Sequence, residues 1–475
     1  MAREAALRRQ NGRNTQDRRR GGHDRQPSRG SHAQPARRRA LDSRAGIVPA
    51  SRTTRGAMPD SSYQAYSRYN PHNPYLAGNG SRARRPANPV RPHRARRRII
   101  IGVAMVFLMA LAGVAYGAYY IVSADGGLKR SDALPIYDGP QSEDIDMLIM
   151  GLDSRVDVNG QPLSEETYQA LHAGGENDGG LNSNVLIYVH IPKDGSGITA
   201  ISIPRDDYVD LPGKPYGQSK SKIKEAYGLA FAEKQNQNAK EGKSDDDAYQ
   251  AARDAGRKAE IAAVDAFLGV RINHFIEVTM GAFYEVAKVM EPITVTVNND
   301  TEDVTYAGIK LTAGTHELSA KDAIAFVRQR RDNVHDINFT DLDRTRRQQV
   351  FIIAVLNKLK SMGLGDVGKV DPLVKIAQTS MVFDKNLSLL SLYSMVKKIG
   401  GADMRFYTLP VESFGKQDGK DVNIVDVKKI QETVKDILAG DDTSTPYGAA
   451  KNATEQPSPT ELSLLNSSGG TPSVK

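Results

Sequence analysis

Six arginines and no lysine occupy 26 consecutive positions, "FVRQRRDNVHDINFTDLDRTRRQQVF", residues 326–351. Four aspartates, Asp332, Asp336, Asp341 and Asp343, share the stretch. A guanidinium is a planar fork that grips two oxygens of a phosphate at once, which the point charge of a lysine cannot do. The chemistry on offer is recognition of phosphate, on a nucleic acid, a membrane surface or a small ligand.

The positions narrow this. Thr340 is a candidate N-cap, with Asp341 and Asp343 in the first turn of a helix where carboxylates are favoured. On that helix Arg344, Arg347 and Gln348 share a side with Phe351, Ile352 and Val355, while Arg346 lies opposite. Arginines on a core-facing stripe are costly unless an anion or an acid pairs with them. Arg346 and Arg331 read as solvated. Upstream, "SAKDAIAF" carries a capping pair, Ser319 and Asp322. If the "VRQR" that follows is extended, Arg328 and Arg330 share one side. Two further pieces follow apolar strands: Arg205–Asp206 after Pro204, and Asp153 with Arg155 in "GLDSR". Such a pair alone is more often structural than functional. Several converging on strand and helix ends point to an anion site, because ligands of open α/β sheets sit at strand ends.

The elements that must position these residues lie in a body spanning 141–439. Strands are expected at 146–152, 184–191, 198–204, 274–279, 293–297 and 404–411. Helices are expected at 223–235, 246–268, 280–290, 320–327, 341–361, 388–399 and 425–438. Several strands are apolar throughout, as when helices cover both faces of a sheet. The expected class is therefore α/β. The polar stretch 232–250 reads as a surface excursion.

Around this body the composition changes sharply. Residues 1–98 hold 24 arginines, no lysine and five acids, a charge of +19, so the rest of a chain of net charge +8 carries −11. That segment is too poor in aliphatics to bury a core and reads as a disordered cytoplasmic tail. Residues 99–122, "IIIGVAMVFLMALAGVAYGAYYIV", hold no charge and suffice for one membrane-spanning helix, which needs ~20 such residues. The arginines ahead of it place the N-terminus in the cytoplasm and the body outside, on a single-pass cell-membrane protein. Residues 123–140 read as a linker and 440–475 as a second disordered tail. With no cysteine, disulfide and thiol chemistry are excluded. An extracytoplasmic domain meets phosphorylated lipids and little nucleic acid, so no nucleic-acid partner is expected.

In combination, "IMGLDSR", "GGLNSNVLIYVHIPKDG", "AISIPRDDYVDLPG", "SKIKEAYGLA", "FLGVRINHFIEVTMGAF" and "FVRQR…DLDRTRRQQ" resemble the LytR-CpsA-Psr family of cell-envelope proteins, across 141–362. The resemblance implies a three-layer α/β/α domain with a central mixed sheet and a hydrophobic groove for a polyprenyl chain. It implies a phosphotransferase that moves a glycopolymer, by its sugar-1-phosphate end, from a polyprenyl-pyrophosphate carrier to peptidoglycan. By the same resemblance Arg205, Arg328, Arg330, Arg344, Arg347 and Gln348 would bind the pyrophosphate. Asp153 would hold Mg²⁺ (or Mn²⁺), and Asp206 or Asp153 would assist the acceptor hydroxyl. Where many relatives carry Arg-Ser-Asp, this chain has Asn182-Ser183-Asn184. Asn184 would then supply an amide oxygen to the metal in place of a carboxylate, a ligand without charge. The "GGLNSN" variant looks like the mycobacterial and corynebacterial branch, whose polymer is arabinogalactan. Phe351, Ile352 and Val355 read individually as ordinary core. Two other functions stay open: a polyprenyl-pyrophosphate phosphohydrolase with water as acceptor, and a membrane-anchored transcriptional regulator whose arginine-rich tail binds nucleic acid.

Overall fold

A computed structural model describes residues 123–475 except 140–141, 172–179, 333, 336, 338, 362–366, 389, 392–403 and 467–471. The arginine-rich segment 1–98, the apolar segment 99–122 and most of the helix expected at 388–399 lie outside the described residues. Among the described residues no helix is long and apolar enough to cross a membrane.

Among the described residues, nine strands form one mixed sheet. In spatial order they are β1 (Lys129–Ser131), β12 (Met381–Asp384), β7 (His274–Thr279), β2 (Ile145–Leu152), β3 (Ser183–Ile191), β4 (Ile198–Ser202), β13 (Met404–Thr408), β17 (Ser463–Asn466) and β16 (Lys451–Asn452). The central strand β2 runs parallel to β7 and antiparallel to β3, and β4 runs parallel to β13. Small ladders join β5 (Tyr208–Asp210) to β6 (Lys220–Lys222), β9 (Thr301–Asp303) to β10 (Ile309–Leu311) and β14 (Ser413–Gln417) to β15 (Lys420–Ile424). Another sheet sets β8 (Ile293–Val297) between β11 (Gly314–Leu318) and β18 (Ser473–Val474).

Side chains alternate across a strand, so a strand apolar at every position feeds two cores. Met147, Ile187, Ala200 and Phe406 enter one apolar cluster, and Leu148, Leu186, Ile201 and Tyr407 enter the other. The first is closed by α1 (Glu165–Leu171), α4 (Met280–Met290), α5 (Ala320–Arg328), α6 (Asp341–Ser361) and α7 (Val367–Ser380). The second is closed by α2 (Glu225–Lys240), α3 (Asp246–Leu268) and α8 (Val427–Leu438). The result is a central mixed sheet between helical layers.

Three boundaries depart from the sequence reading. The linker 123–140 contributes β1, which adds a parallel edge strand beside β12. The polar stretch 232–250 is not an excursion. It continues α2 to Lys240, turns, and enters α3, capped by the Asp245 side chain on the Ala248 N–H. Third, the segment 440–475 is folded wherever it is described. It supplies β16, β17 and β18, with Leu462, Leu465 and Val474 buried. Its few apolar residues are too sparse for a helix or a core of their own. They are ordered by completing ladders on β13 and β8.

The α2–α3 pair encloses a charged core. Glu277 of β7, fully buried, accepts from Arg253 Nη2 at 2.5 Å, Arg257 Nε at 2.8 Å and Tyr227 Oη at 2.8 Å. Nearby Glu260 is also fully buried. One of its oxygens takes the Tyr227 N–H at 2.9 Å. Burial pushes the Glu260 carboxyl up to about 8, against the weaker pull of its hydrogen bonds to Ser183 and Tyr227. A folded value above the unfolded one means the neutral form stabilises the fold below about pH 4.5, and that this contribution fades as pH rises towards about 8. Glu260→Gln is therefore expected to match the parent near pH 5 and to exceed it at pH 8. Equal pH slopes in denaturant unfolding would refute that assignment.

Candidate active site

Four chain segments meet at the ends of β2, β3 and β4, joined by a fifth that carries Arg328 and Arg330 from the end of α5. The first runs on from β2 through Asp153 and Arg155. Asp153 binds the Arg155 guanidinium and accepts from Asn184 Nδ2 at 2.6 Å. Asn184, on β3, accepts Arg205 Nη1 on its amide oxygen at 2.7 Å. Arg205 follows β4 beyond Pro204, where no strand bond is needed from a residue without an N–H. The fourth segment is the start of α6, held by a reciprocal cap: Thr340 Oγ accepts the Asp343 N–H, and Asp343 accepts the Thr340 N–H.

Asp341, one residue into this helix, joins two of the arginines. One of its oxygens accepts from Arg205 Nη2 at 3.2 Å and the other from Arg344 Nη2 at 2.9 Å. Arg205 is 8% exposed and Arg344 5%, yet the Nε of each is buried with no hydrogen-bond partner. The Arg205 Nε lies 3.6 Å from Asp206 Oδ2, which is too far to bond. Burial lowers the Arg344 guanidinium to about 10, and the like charges of Arg205 and Arg330 add to the effect against Asp341 and Asp206. Arg330 is shifted down by burial and by Arg205, and Arg328 by burial and by Arg155. Arg328 ends α5, the residue after it is extended, and Arg330 follows on the exposed side while Gln329 turns inward. The extended run expected of "VRQR" begins only at Gln329, because Val327 and Arg328 are still helical.

Asp206 is not suited to take a proton. Burial alone would raise its carboxyl. Lys224, Arg205 and Lys222 outweigh this and hold it at about 2. Lys224 Nζ stands 2.8 Å and Lys222 Nζ 3.0 Å from its Oδ1. Asp207 beside it is fully buried against Asn423, and burial pushes its carboxyl well upward. Around one point, then, five arginines (Arg155, Arg205, Arg328, Arg330, Arg344) and two lysines face three carboxylates (Asp153, Asp206, Asp341). Positive charge in excess, with buried donors left open, is the electrostatic signature of an anion site.

Arg347 and Arg346 are held by other groups. Arg347 is fully buried among Gln329 Oε1 (2.7 Å), the Phe326 carbonyl and the Lys475 carbonyl (2.9 Å), with the Phe326 and Phe339 rings over its guanidinium. Its Nη2 is buried without a partner, as are the Nε atoms of Arg205 and Arg344. Gln348 is half-buried, and it is the next residue, Gln349, that is buried and bonded to Ser202, Tyr407 and Thr408. Arg346, expected in solvent, is 4% exposed. It donates to Asp343 at 3.0 Å, to the Pro457 carbonyl at 3.0 Å and to Ser463. The face of α6 opposite Arg344 is covered by the chain's own 457–463 segment. Arg331 is exposed and stacks 4.0 Å above the Tyr306 ring. Removing one partner of a buried ion pair costs ~3–5 kcal/mol. Arg346→Ala should thus lower unfolding stability by about 3 kcal/mol while activity per folded molecule stays within a few fold; unchanged stability would contradict the burial.

Asp153 and Asn184, the residues expected to meet a metal ion, stand side by side. The Asn184 amide turns its nitrogen to Asp153 and its oxygen to Arg205, and a flip would set oxygen against carboxylate and nitrogen against guanidinium. Among the described residues no group of three or more His, Cys, Asp or Glu side chains could hold a metal ion. Phe351 and Val355 are buried core, with Phe351 packed on Phe283 at a ring separation of 4.3 Å.

The model of the LytR_cpsA_psr family matches residues 123–438. The chain belongs to that family. The match holds every arginine of the site and stops short of the segment that buries Arg346. A relative named cell wall biosynthesis protein LcpA, from Corynebacterium glutamicum, is 29% identical over 381 residues, 78% of this chain and 71% of that protein. A probable cell wall biosynthesis protein LcpB of the same organism is 26% identical, over 69% of this chain and 66% of its own length. The polyisoprenyl-teichoic acid–peptidoglycan teichoic acid transferase TagT of Bacillus subtilis is 25% identical over 56% of this chain and 70% of its own.

Proposed function

We propose that this protein is a phosphotransferase that moves a glycopolymer from a polyprenyl-pyrophosphate carrier onto peptidoglycan. The observation that carries the reading is the pair of buried, unpartnered Nε–H groups on Arg205 and Arg344 within a cluster of like-charged arginines. Two phosphate groups joined by one bridging oxygen answer both the charge and the open donors. Family membership and the transferase names of relatives such as TagT support the same reading. We infer arabinogalactan as the polymer on the strength of the corynebacterial relatives, and a membrane anchor at 99–122 that leaves the domain outside the cell.

In this mechanism Arg205 and Arg344, fixed by Asp341, neutralise the oxygens of the leaving polyprenyl phosphate, and Arg328 and Arg330 hold the transferring phosphoryl group. The acceptor hydroxyl attacks that phosphorus, the bridging P–O bond breaks, and polyprenyl phosphate departs with the electron pair. Phosphoryl transfer depends chiefly on such positioning and charge neutralisation. Asp153 takes the hydroxyl proton in this reading, because Lys224, Lys222 and Arg205 leave Asp206 a weak base. A divalent cation carried in on the phosphates would meet Asp153 as its one protein carboxylate, in competition with Arg155.

Purified protein incubated with the lipid-linked glycan and peptidoglycan should yield a phosphodiester-linked conjugate. Release of free glycan phosphate at the same rate with and without peptidoglycan would instead favour the phosphohydrolase reading.

A further inference from the structure

Beside the arginine cluster lies a cavity of about 580 Å³ that the mechanism does not use. This falls within the ~300–1,000 Å³ usual for small-ligand sites. Arg155, Asn182, Glu225, Phe231, Tyr249 and Lys420 are among its lining residues. The Phe231 and Tyr249 rings meet edge to face, centroids 5.7 Å apart, and both are half-buried. Tyr249 is fixed from behind, because its hydroxyl accepts from the buried Arg253 at 2.9 Å and that guanidinium stacks on its ring. Gly160, at φ +83°, packs against the Tyr249 ring, where a Cβ would stand 2.9 Å from it. Opposite the rings are polar groups of both kinds, with Lys420 paired to Glu225 at 2.6 Å and Arg155 bound to Asp153.

Pre-set aromatic faces with hydrogen-bonding groups around them suit a ligand that is apolar on its ring faces and polar at its edges. We propose that this cavity holds a sugar ring of the acceptor glycan, with Arg155 marking the side that opens on Asp153. The placement rests on the transferase reading above and adds the site from which the acceptor hydroxyl reaches the phosphorus. A sugar of the donor polymer has the same ring chemistry, so the test must separate the two sources.

The test uses the full chain in detergent, with a soluble disaccharide-peptide fragment of peptidoglycan as probe and no donor present. The intact protein should bind the fragment, and Phe231→Ala should weaken binding about tenfold or more by removing one aromatic face. In turnover the same variant should raise the KM for acceptor by a similar factor, leaving kcat, donor KM and inorganic pyrophosphate binding unchanged. Lys420→Gln, at an exposed position, should act in the same direction if Phe231→Ala folds poorly. Unaltered fragment affinity in both variants overturns the proposal, and so does a rise confined to the donor KM, which would assign the cavity to the donor sugar. Pyrophosphate binding is read separately, so loss of the transferase reading would show there and not in the fragment titration.

Discussion

Arg205→Ala should reduce glycopolymer transfer by about 10³-fold, within the ~10²–10⁵ range seen when a phosphate-stabilising donor is removed. The side chain binds Asn184 and Asp341 at once, and its buried Nε–H has no partner. Its loss removes a charge from the clamp and frees Asp341 and Asn184 to move. Arg205→Lys should recover little, since an ammonium cannot make both bonds and still point at a phosphate. Steady-state rates with saturating donor, normalised to folded protein, check this. Retention of more than a tenth of the activity in Arg205→Ala would remove Arg205 from the clamp.

The largest loss of stability is expected in the charged core enclosed by α2 and α3. Glu277→Ala should destabilise the domain by about 3–5 kcal/mol, because Arg253 and Arg257 would be left as buried charges without their shared carboxylate. Burial would raise the Glu277 carboxyl, but Arg253 and Arg257 outweigh it and hold it at about 2. A depressed folded value means this stabilisation is complete above about pH 4.5 and is lost as pH falls towards about 2. Chemical denaturation at pH 7 measures the loss, and a difference under about 1 kcal/mol would show that the arginines find other partners.

Much of this architecture is legible in the sequence. The helices at 246–268, 280–290 and 341–361 and the strands at 274–279 and 293–297 coincide with the structure, because their periodicity and caps agree. The failure at the C-terminal segment has a physical cause. The 440–475 segment has the composition of a loose tail, yet Leu462, Leu465 and Val474 suffice once β13 and β8 offer unpaired edges. With that segment taken as absent, the far face of α6 reads as solvent and Arg346 as solvated. Helical phase correctly set Arg346 opposite Arg344, but long-range pairing decided what covers it. Arg347 illustrates the reverse limit. Burial on the core side was legible, whereas its partners, Gln329 and the Lys475 carbonyl, come from elements that local patterns do not connect. Asp341 was visible only as a helix-start carboxylate. Its bridging of Arg205 and Arg344 depends on a segment 136 residues away.

We propose that Arg205, Arg328, Arg330 and Arg344 act together on a diphosphate head group attached to a lipid. Equilibrium binding of a short polyprenyl diphosphate, compared with the corresponding monophosphate, tests it most directly. The intact protein should prefer the diphosphate by at least about tenfold, and Arg344→Ala should erase that preference while leaving a folded chain. Equal affinity for the two head groups, or a preference untouched by Arg344→Ala, would contradict it.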